Sequence, residues 1–592
     1  MCELAFTPVS AMTTPSLSWS RRFGATTALS VLLSCATEPF GSISEAERDA
    51  GRGAPTITDT GTSTFAVTAA DPEARRLFHQ GMQLVYAFEH SEAARAFRAA
   101  FARDASCAMC AWGVAYALGP NINATTRENE PEIHRYLLRA QAAAAKTSAL
   151  EQALIEALAV RYGAAAPELQ RAAVTSADAM CSTRAAERDV DPLERAYAQA
   201  MTEVVERFAQ DPDVVTLYAD AIMVTSAWQW WDPKTGAASG SMGVVVDRLV
   251  AALTEHPQHT GLAHFLVHAA EQSPRPERAE AAADVLGRLA PGAPHLVHMP
   301  SHIYVHLGRF GDATRVNEQA LAVQKTYHEQ VTKAGFKPGS NWDFHHLHFL
   351  WYAALMDGRG DLALSTARRM ADRYSGSMEV REYVRVLPLQ TLVRLERWEQ
   401  VLAEPEPREG LGLTEGTWQY ARGVAFARTG RLAEAQQSAR ELARLRQLST
   451  LTRARLFGRP LLDELLQISA AVLDAEIVRA RGQAATAAER NAAVDGLQRA
   501  AGLEDDIGGE PPRWAVSARL ALADTLRAEG RHAEAEREYR EHLRRQRDNG
   551  WALRGLRLVL AAQGNAVDAR TADERLQVVW AQADTGLREV HQ

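Results

Sequence analysis

Gly308-Arg309-Phe310-Gly311-Asp312-Ala313 is the phrase on which the fold turns, because it comes back: as GRGDLA over 358–363, GRLAEA over 430–435 and GRHAEA over 530–535. Each copy joins two segments whose apolar residues recur with helical spacing, so each reads as helix, glycine turn, helix. An earlier relative, EHSEAARAFRAAF, starts at Glu89 and puts Ala93 where Ala313 stands, and Pro276-Glu277-Arg278-Ala279 is another. Ala279 and Ala313 are thirty-four residues apart, as are Gly81 and Ala115. From residue 70 onward the chain is rich in Ala, Leu, Arg and Glu with almost no strand-like alternation. The expected fold class is all-α.

A thirty-four-residue helix-turn-helix period, with a small residue midway along the first helix and alanine early in the second, resembles the tetratricopeptide (TPR) repeat. Gly81, Ala93, Phe97, Ala100 and Ala105 fit that pattern, as do Ala279, Ala283, Leu286 and Pro291. The resemblance covers most of residues 72–580. It implies a right-handed superhelical solenoid, because no helix pair buries its apolar face alone, and a concave groove lined by first helices. The phrases HMPSHIY (298–304), HxLHF (345–349) and EPPRW (510–514) together resemble a largely uncharacterised family of exported bacterial TPR proteins. That second resemblance implies fold and export and adds no reaction.

Outward from the repeats, residues 1–35 look like a bacterial lipoprotein signal peptide. Arg21 and Arg22 precede an apolar run from Phe23 to Leu33 too short to cross a bilayer, and Leu32-Leu33-Ser34-Cys35 offers Cys35 for lipidation. An ordinary secretory peptide is the plainer alternative; either way the protein is expected to be exported, periplasmic or on the outer membrane. Residues 36–68, rich in Gly, Ser, Thr and Pro, read as a flexible linker. The repeats then divide into an N-terminal array, 69–375, and a C-terminal array, 376–592. No later stretch is apolar for eighteen residues, so membrane contact is expected through the lipid alone. A net charge of −8 without a basic run speaks against a nucleic-acid partner. Five cysteines in 592 residues make no disulfide scaffold. Cys107 and Cys110, a CxxC without the histidine of a haem motif, are a disulfide candidate.

Twelve of the eighteen histidines fall between His256 and His348. His264, His268 and Glu271 stand at i, i+4 and i+7, on one face of a helix. His295, His298, His302 and His306 stack likewise on the next first helix, although Pro300 must kink it. The TPR register, with Ala279, Ala313 and Ala363 equivalent, places all of these and His345 and His348 at groove-facing positions of three adjacent helices. Such helices pack about 8 to 10 Å apart, close enough for imidazoles to share an ion. The expected ligands are His264, His268, Glu271, His298, His302, His345 and His348. His295 and His306 are expected beside them, and Trp112 and Tyr116 face the same groove. His268 and His302, at equivalent positions, are the expected pair on one ion.

Imidazoles with a carboxylate suit zinc, iron or copper and disfavour Ca²⁺ or Mg²⁺. One or two ions fit, and the ligand pattern is similar to type 3 copper or di-iron sites. In a catalytic site Glu271 is the expected general base or bridging ligand. Three readings stay open: a metal-dependent enzyme, a TPR scaffold that binds a protein or peptide in its groove, and a periplasmic metal carrier.

Overall fold

The computed structural model describes residues 53–163 except 126 and 128, 191–584 except 375, 408–410, 457 and 458, and residue 587. The signal sequence, Cys35 and the start of the linker lie outside the described residues. Among those described there is no strand, only isolated β-bridges.

The chain is a succession of antiparallel helix pairs: α1 Pro72–Tyr86 with α2 His90–Arg103, α3 Ala108–Ala117 with α4 Glu130–Ala143, α5 Ala149–Arg161 with α6 Pro192–Arg207, and α7 Pro212–Val224 with α8 Met242–Glu255. Next come α9 Thr260–Glu271 with α10 Glu280–Leu289, the broken helix α11 Pro294–His298 and α12 Pro300–His306 with α13 Phe310–Lys333, and α14 Asp343–Met356 with α15 Gly360–Arg373. The C-terminal half follows as α16 Met378–Arg394 with α17 Trp398–Ala403, α18 Leu413–Arg428 with α19 Leu432–Leu445, a short α20 Ser449–Arg453, α21 Leu461–Arg481 with α22 Ala487–Ile507, α23 Ala518–Ala528 with α24 His532–Arg545, and α25 Gly550–Ala562 with α26 Ala566–Val579. The fold is an all-α, TPR-like helical repeat.

The recurring phrase builds one turn each time. Gly308, Gly358, Gly430 and Gly530 all take a left-handed φ of 74–79°. The arginine that follows each donates its N–H back to Tyr304, Ala354, Phe426 or Leu526 at 2.8–2.9 Å. That is a Schellman cap, which glycine enters without the Cβ penalty. The alanine closing the phrase is fully buried at Ala93, Ala279, Ala313, Ala363, Ala435 and Ala535. Where the pattern wants a small residue in a first helix, the cause is visible: the Phe97 ring lies against both Gly81 and Gly113, and a Cβ there would meet it at 2.6 and 2.4 Å.

Two features differ from the sequence expectation. The described part of the 36–68 linker is docked along the body. Ile57 and Phe65 are buried, the Pro55 and Thr62 carbonyls accept from the amides of Gln80 and Gln83 at 2.8 Å, and Thr68 N–H donates to Glu151 at 2.7 Å. Two apolar anchors and paired carbonyls suffice to hold an extended segment. The groove is also closed. The C-terminal pairs fold back on α14, with Trp580 Nε1–H donating to the Met356 carbonyl at 3.1 Å and Tyr352 O–H to Gln546 at 3.2 Å. This brings the loop between α22 and α23 over the histidine helices.

Candidate metal centre

α9 carries His264, His268 and Glu271, each at most 2% exposed. His264 Nδ1 is 2.6 Å from the Tyr86 carbonyl oxygen, which can only accept, so Nδ1 carries the proton. His268 Nδ1 is fixed in the same way by Glu271 Oε1 at 3.2 Å. The Nε2 atoms of both, and both ring nitrogens of His295 on α11, are buried without a partner. One ligand atom from each of these three residues lies within 4.8 Å of the others. Phe88 stacks on His268 and His295 at 5.4 and 5.3 Å, Trp342 stacks on His295 at 4.3 Å, and Trp228 meets His268 edge-on at 5.7 Å.

Phe88 stands where the later repeats have their turn glycine. It takes the same left-handed conformation, φ 58°, and Glu89 N–H makes the same cap bond to Leu84 at 2.8 Å. A bulky residue is strained there. What the strain achieves is to hold an aromatic ring flat against this first group of histidines.

The second group is built on α12. Pro300 has no N–H for the turn before it, so α11 ends at His298 and α12 begins at Pro300. The break leaves His298 and His302 together, Nε2 to Nε2 at 3.1 Å, and His345 Nε2 on α14 is 3.2 Å from His302 Nε2. His298 Nδ1–H donates to Asn317 Oδ1 at 2.6 Å, and Asn317 is oriented by its own donation to the Ala313 carbonyl at 2.7 Å. His302 Nδ1 faces two carboxylates, Glu271 Oε2 at 2.7 Å and Glu510 Oε1 at 3.1 Å. Three imidazole nitrogens thus converge while the opposite edges of His298 and His302 are held by acceptors.

Burial, reinforced by neighbouring imidazoles, holds His264, His295, His298 and His345 well below the ordinary histidine range. In His264 and His298, whose Nδ1–H is fixed by an acceptor, a neutral ring presents its lone pair at Nε2. Burial acts the same way on His302, but the Glu271 and Glu510 carboxylates outweigh it and raise that imidazole to about 10. Burial would raise Glu510, and His306 and His302 instead hold it at about 2. The two carboxylates therefore favour positive charge on His302.

Several expected residues sit elsewhere than the register implied. His268 and His302 fall in different groups, their rings 6.1 Å apart and linked through the two oxygens of Glu271. His295 belongs to the first group itself. His348 Nε2 is 2.9 Å from the Tyr383 hydroxyl and its ring stacks on Trp351, outside both groups. His306 meets Glu510 at 3.4 Å. Trp112 and Tyr116 stack on each other and bond to Leu154 and Asp220, so they form a core contact and no part of the centre. Cys107 and Cys110 form a disulfide. Glu510, in the EPPRW phrase, is a site residue that the sequence reading missed, and so is His346, whose ring is buried 4.8 Å from His298.

No family model matches the chain, and no curated protein matches it. Among solved structures it is similar to yeast Tom70, at 11% identity over 85% of this chain and 98% of that one, with a TM-score of 0.30. It is also similar to the Cut9–Hcn1 complex, at 13% identity over 86% and 94% with a TM-score of 0.24, and to the P58(IPK) TPR domain, at 12% identity over 60% and 95% with a TM-score of 0.17. Similarity at that level carries no argument about function.

Proposed function

We propose that this protein is a metalloprotein whose helical repeats hold transition-metal ions, zinc, copper or iron, at two three-histidine centres, His298/His302/His345 and His264/His268/His295. The observation that carries the reading is the convergence of the His298, His302 and His345 Nε2 atoms at 3.1–3.2 Å about His302. Tetrahedral ligands about 2.0 to 2.1 Å from zinc are about 3.3 Å apart, so the imidazoles stand close to coordinating distance. Support also comes from behind the ligands, since the acceptors on Nδ1 are those that orient metal-bound histidines. Glu271 faces the Nδ1 edges of one ligand in each centre, which makes it the residue through which the two would sense each other's charge. Three protein ligands leave a coordination position for a small molecule, the arrangement that catalytic zinc keeps. A peptide-binding groove is the other use of such a fold, and burial of the histidines argues against it on this face. The Cys107–Cys110 bond supports an oxidising compartment.

Elemental analysis of protein purified without a histidine tag tests the reading. One or more ions of zinc, copper or iron per chain, surviving dialysis, is the expected outcome. Substoichiometric metal after growth and refolding with each of the three ions would overturn it.

A further inference from the structure

We propose that a cavity of about 190 Å³ behind Glu510 binds a small organic carboxylate. The cavity lies between α12, α14, the end of α22 and the loop from Gly508 to Ser517, and is lined also by residues of α21, α23 and α24. Its importance as a substrate site rests on the metal reading above; its affinity for a carboxylate does not.

Glu510 and His306 form one end. Glu510 Oε1 is 3.4 Å from His306 Nε2 and 3.1 Å from His302 Nδ1, so a single carboxylate stands between the cavity and the second group of histidines. The walls beside it are apolar or aromatic: Val305, Tyr352, Ile468, Ile507 and Pro512. At about 190 Å³ the space is smaller than the roughly 300 to 1,000 Å³ of drug-sized sites, and suits one ring or a short branched chain.

The polar wall has unmet valences. Trp514 is 3% exposed and its Nε1–H, which can only donate, has no acceptor; His542, 2% exposed, has no partner at Nε2. Buried polar groups without partners are uncommon and call for an explanation. The acids lining the cavity are already answered. Glu504 accepts from Ser517 O–H at 3.0 Å and Ala518 N–H at 2.8 Å, Asp505 pairs with Arg519 at 2.6 Å and Arg545 at 3.1 Å, and Glu510 faces His302 and His306. Arg513 is buried in the same wall. Burial first, then the nearby guanidiniums of Arg394, Arg519 and Arg545, push the His542 imidazole down to about 3, so a neutral ring stands among arginines on this wall. A ligand that enters must bring an acceptor to Trp514, is favoured if it is negative, and must be apolar at its other end. A compact carboxylate meets all three requirements, with its apolar part against Val305, Tyr352, Ile468, Ile507 and Pro512.

Calorimetric titration of the full chain with benzoate, and with benzamide as its neutral counterpart, tests this. Saturable one-to-one binding of benzoate is expected, with benzamide at least tenfold weaker. Trp514→Phe, which removes only the N–H donor, is expected to weaken benzoate at least tenfold with metal content and helical circular dichroism unchanged. Val305→Phe, which fills the apolar end, is expected to weaken it as well. Absence of saturable binding at millimolar benzoate, or undiminished affinity in both variants, would overturn the proposal. Benzoate binding in protein that holds no metal would leave the cavity standing and remove the metal reading; stoichiometric metal without benzoate binding would do the reverse.

Discussion

Replacing His302 with alanine is expected to remove the ion at His298/His302/His345 and to cost about 3–5 kcal/mol of stability. Both effects follow from its two edges. Nε2 lies 3.1 and 3.2 Å from the other two ligand nitrogens, so its loss leaves a two-imidazole remnant. Nδ1 is the cation between Glu271 and Glu510, so its loss also leaves two buried carboxylates facing each other. His345→Ala separates the effects: it removes a ligand from the same ion and leaves those carboxylates their partner, so metal should fall equally and stability much less. The paired measurement is metal per chain and the urea midpoint. Full metal retention in both variants would mean that this group is not the site.

Acidification is expected to unfold the metal-free protein between about pH 6 and 5. His90 is held at about 4, and His346, His348 and His542 at about 3, in each case by burial first. His264, His295, His298 and His345 are held well below the ordinary value as well. In the unfolded chain all eight take protons below about 6.5. Their stabilisation is therefore complete above that pH and is lost as the pH falls toward the folded values. Buried carboxyls oppose them: Glu89, Asp357 and Asp220 most, with Asp211, Glu382, Asp474 and Glu504 raised by burial as well. Burial raises Glu89 to about 8, Asp357 to about 7 and Asp220 to about 6, so these stabilise the fold more as the pH falls toward the ordinary carboxyl range. The histidines outnumber the strongly raised carboxyls, and each proton left unmatched is worth about 1.4 kcal/mol per pH unit. Whole domains have only about 5–15 kcal/mol to lose. Urea midpoints at pH 7, 6 and 5 on chelator-stripped protein measure this; midpoints that do not change would show these imidazoles to be solvated.

The helix pairs were legible because their cause is local. Glycine enters a left-handed turn most readily and a Schellman cap uses the residue after it, so GRFGDA and its copies mark four of these turns in the chain itself. The histidine faces were legible for the same reason: i, i+4 and i+7 spacing on α9 is geometry within one helix. Adjacent helices extended that reading to His345, and Pro300 breaks the helix without parting His298 from His302. What was not legible depends on the far end of the chain. Glu510 is 208 residues from His302 and reaches it only because the C-terminal pairs fold back on α14. That same return turned an expected open groove into a buried centre. Phe88 was hidden differently, since nothing local says that a turn position will accept a strained phenylalanine; only the ring contacts with His268 and His295 give the reason. His348 shows the limit of a register: one turn beyond His345, it faces Tyr383 in the next first helix.

The most direct test of the three-histidine centres is X-ray absorption at the edge of whichever metal the untagged protein retains. The expected spectrum has a first shell of nitrogen or oxygen near 2.0–2.1 Å with the outer-shell scattering of about three imidazoles per ion, reduced in His345→Ala. A shell without imidazole scattering, or one unchanged by that substitution, would contradict the assignment of His298, His302 and His345 as ligands.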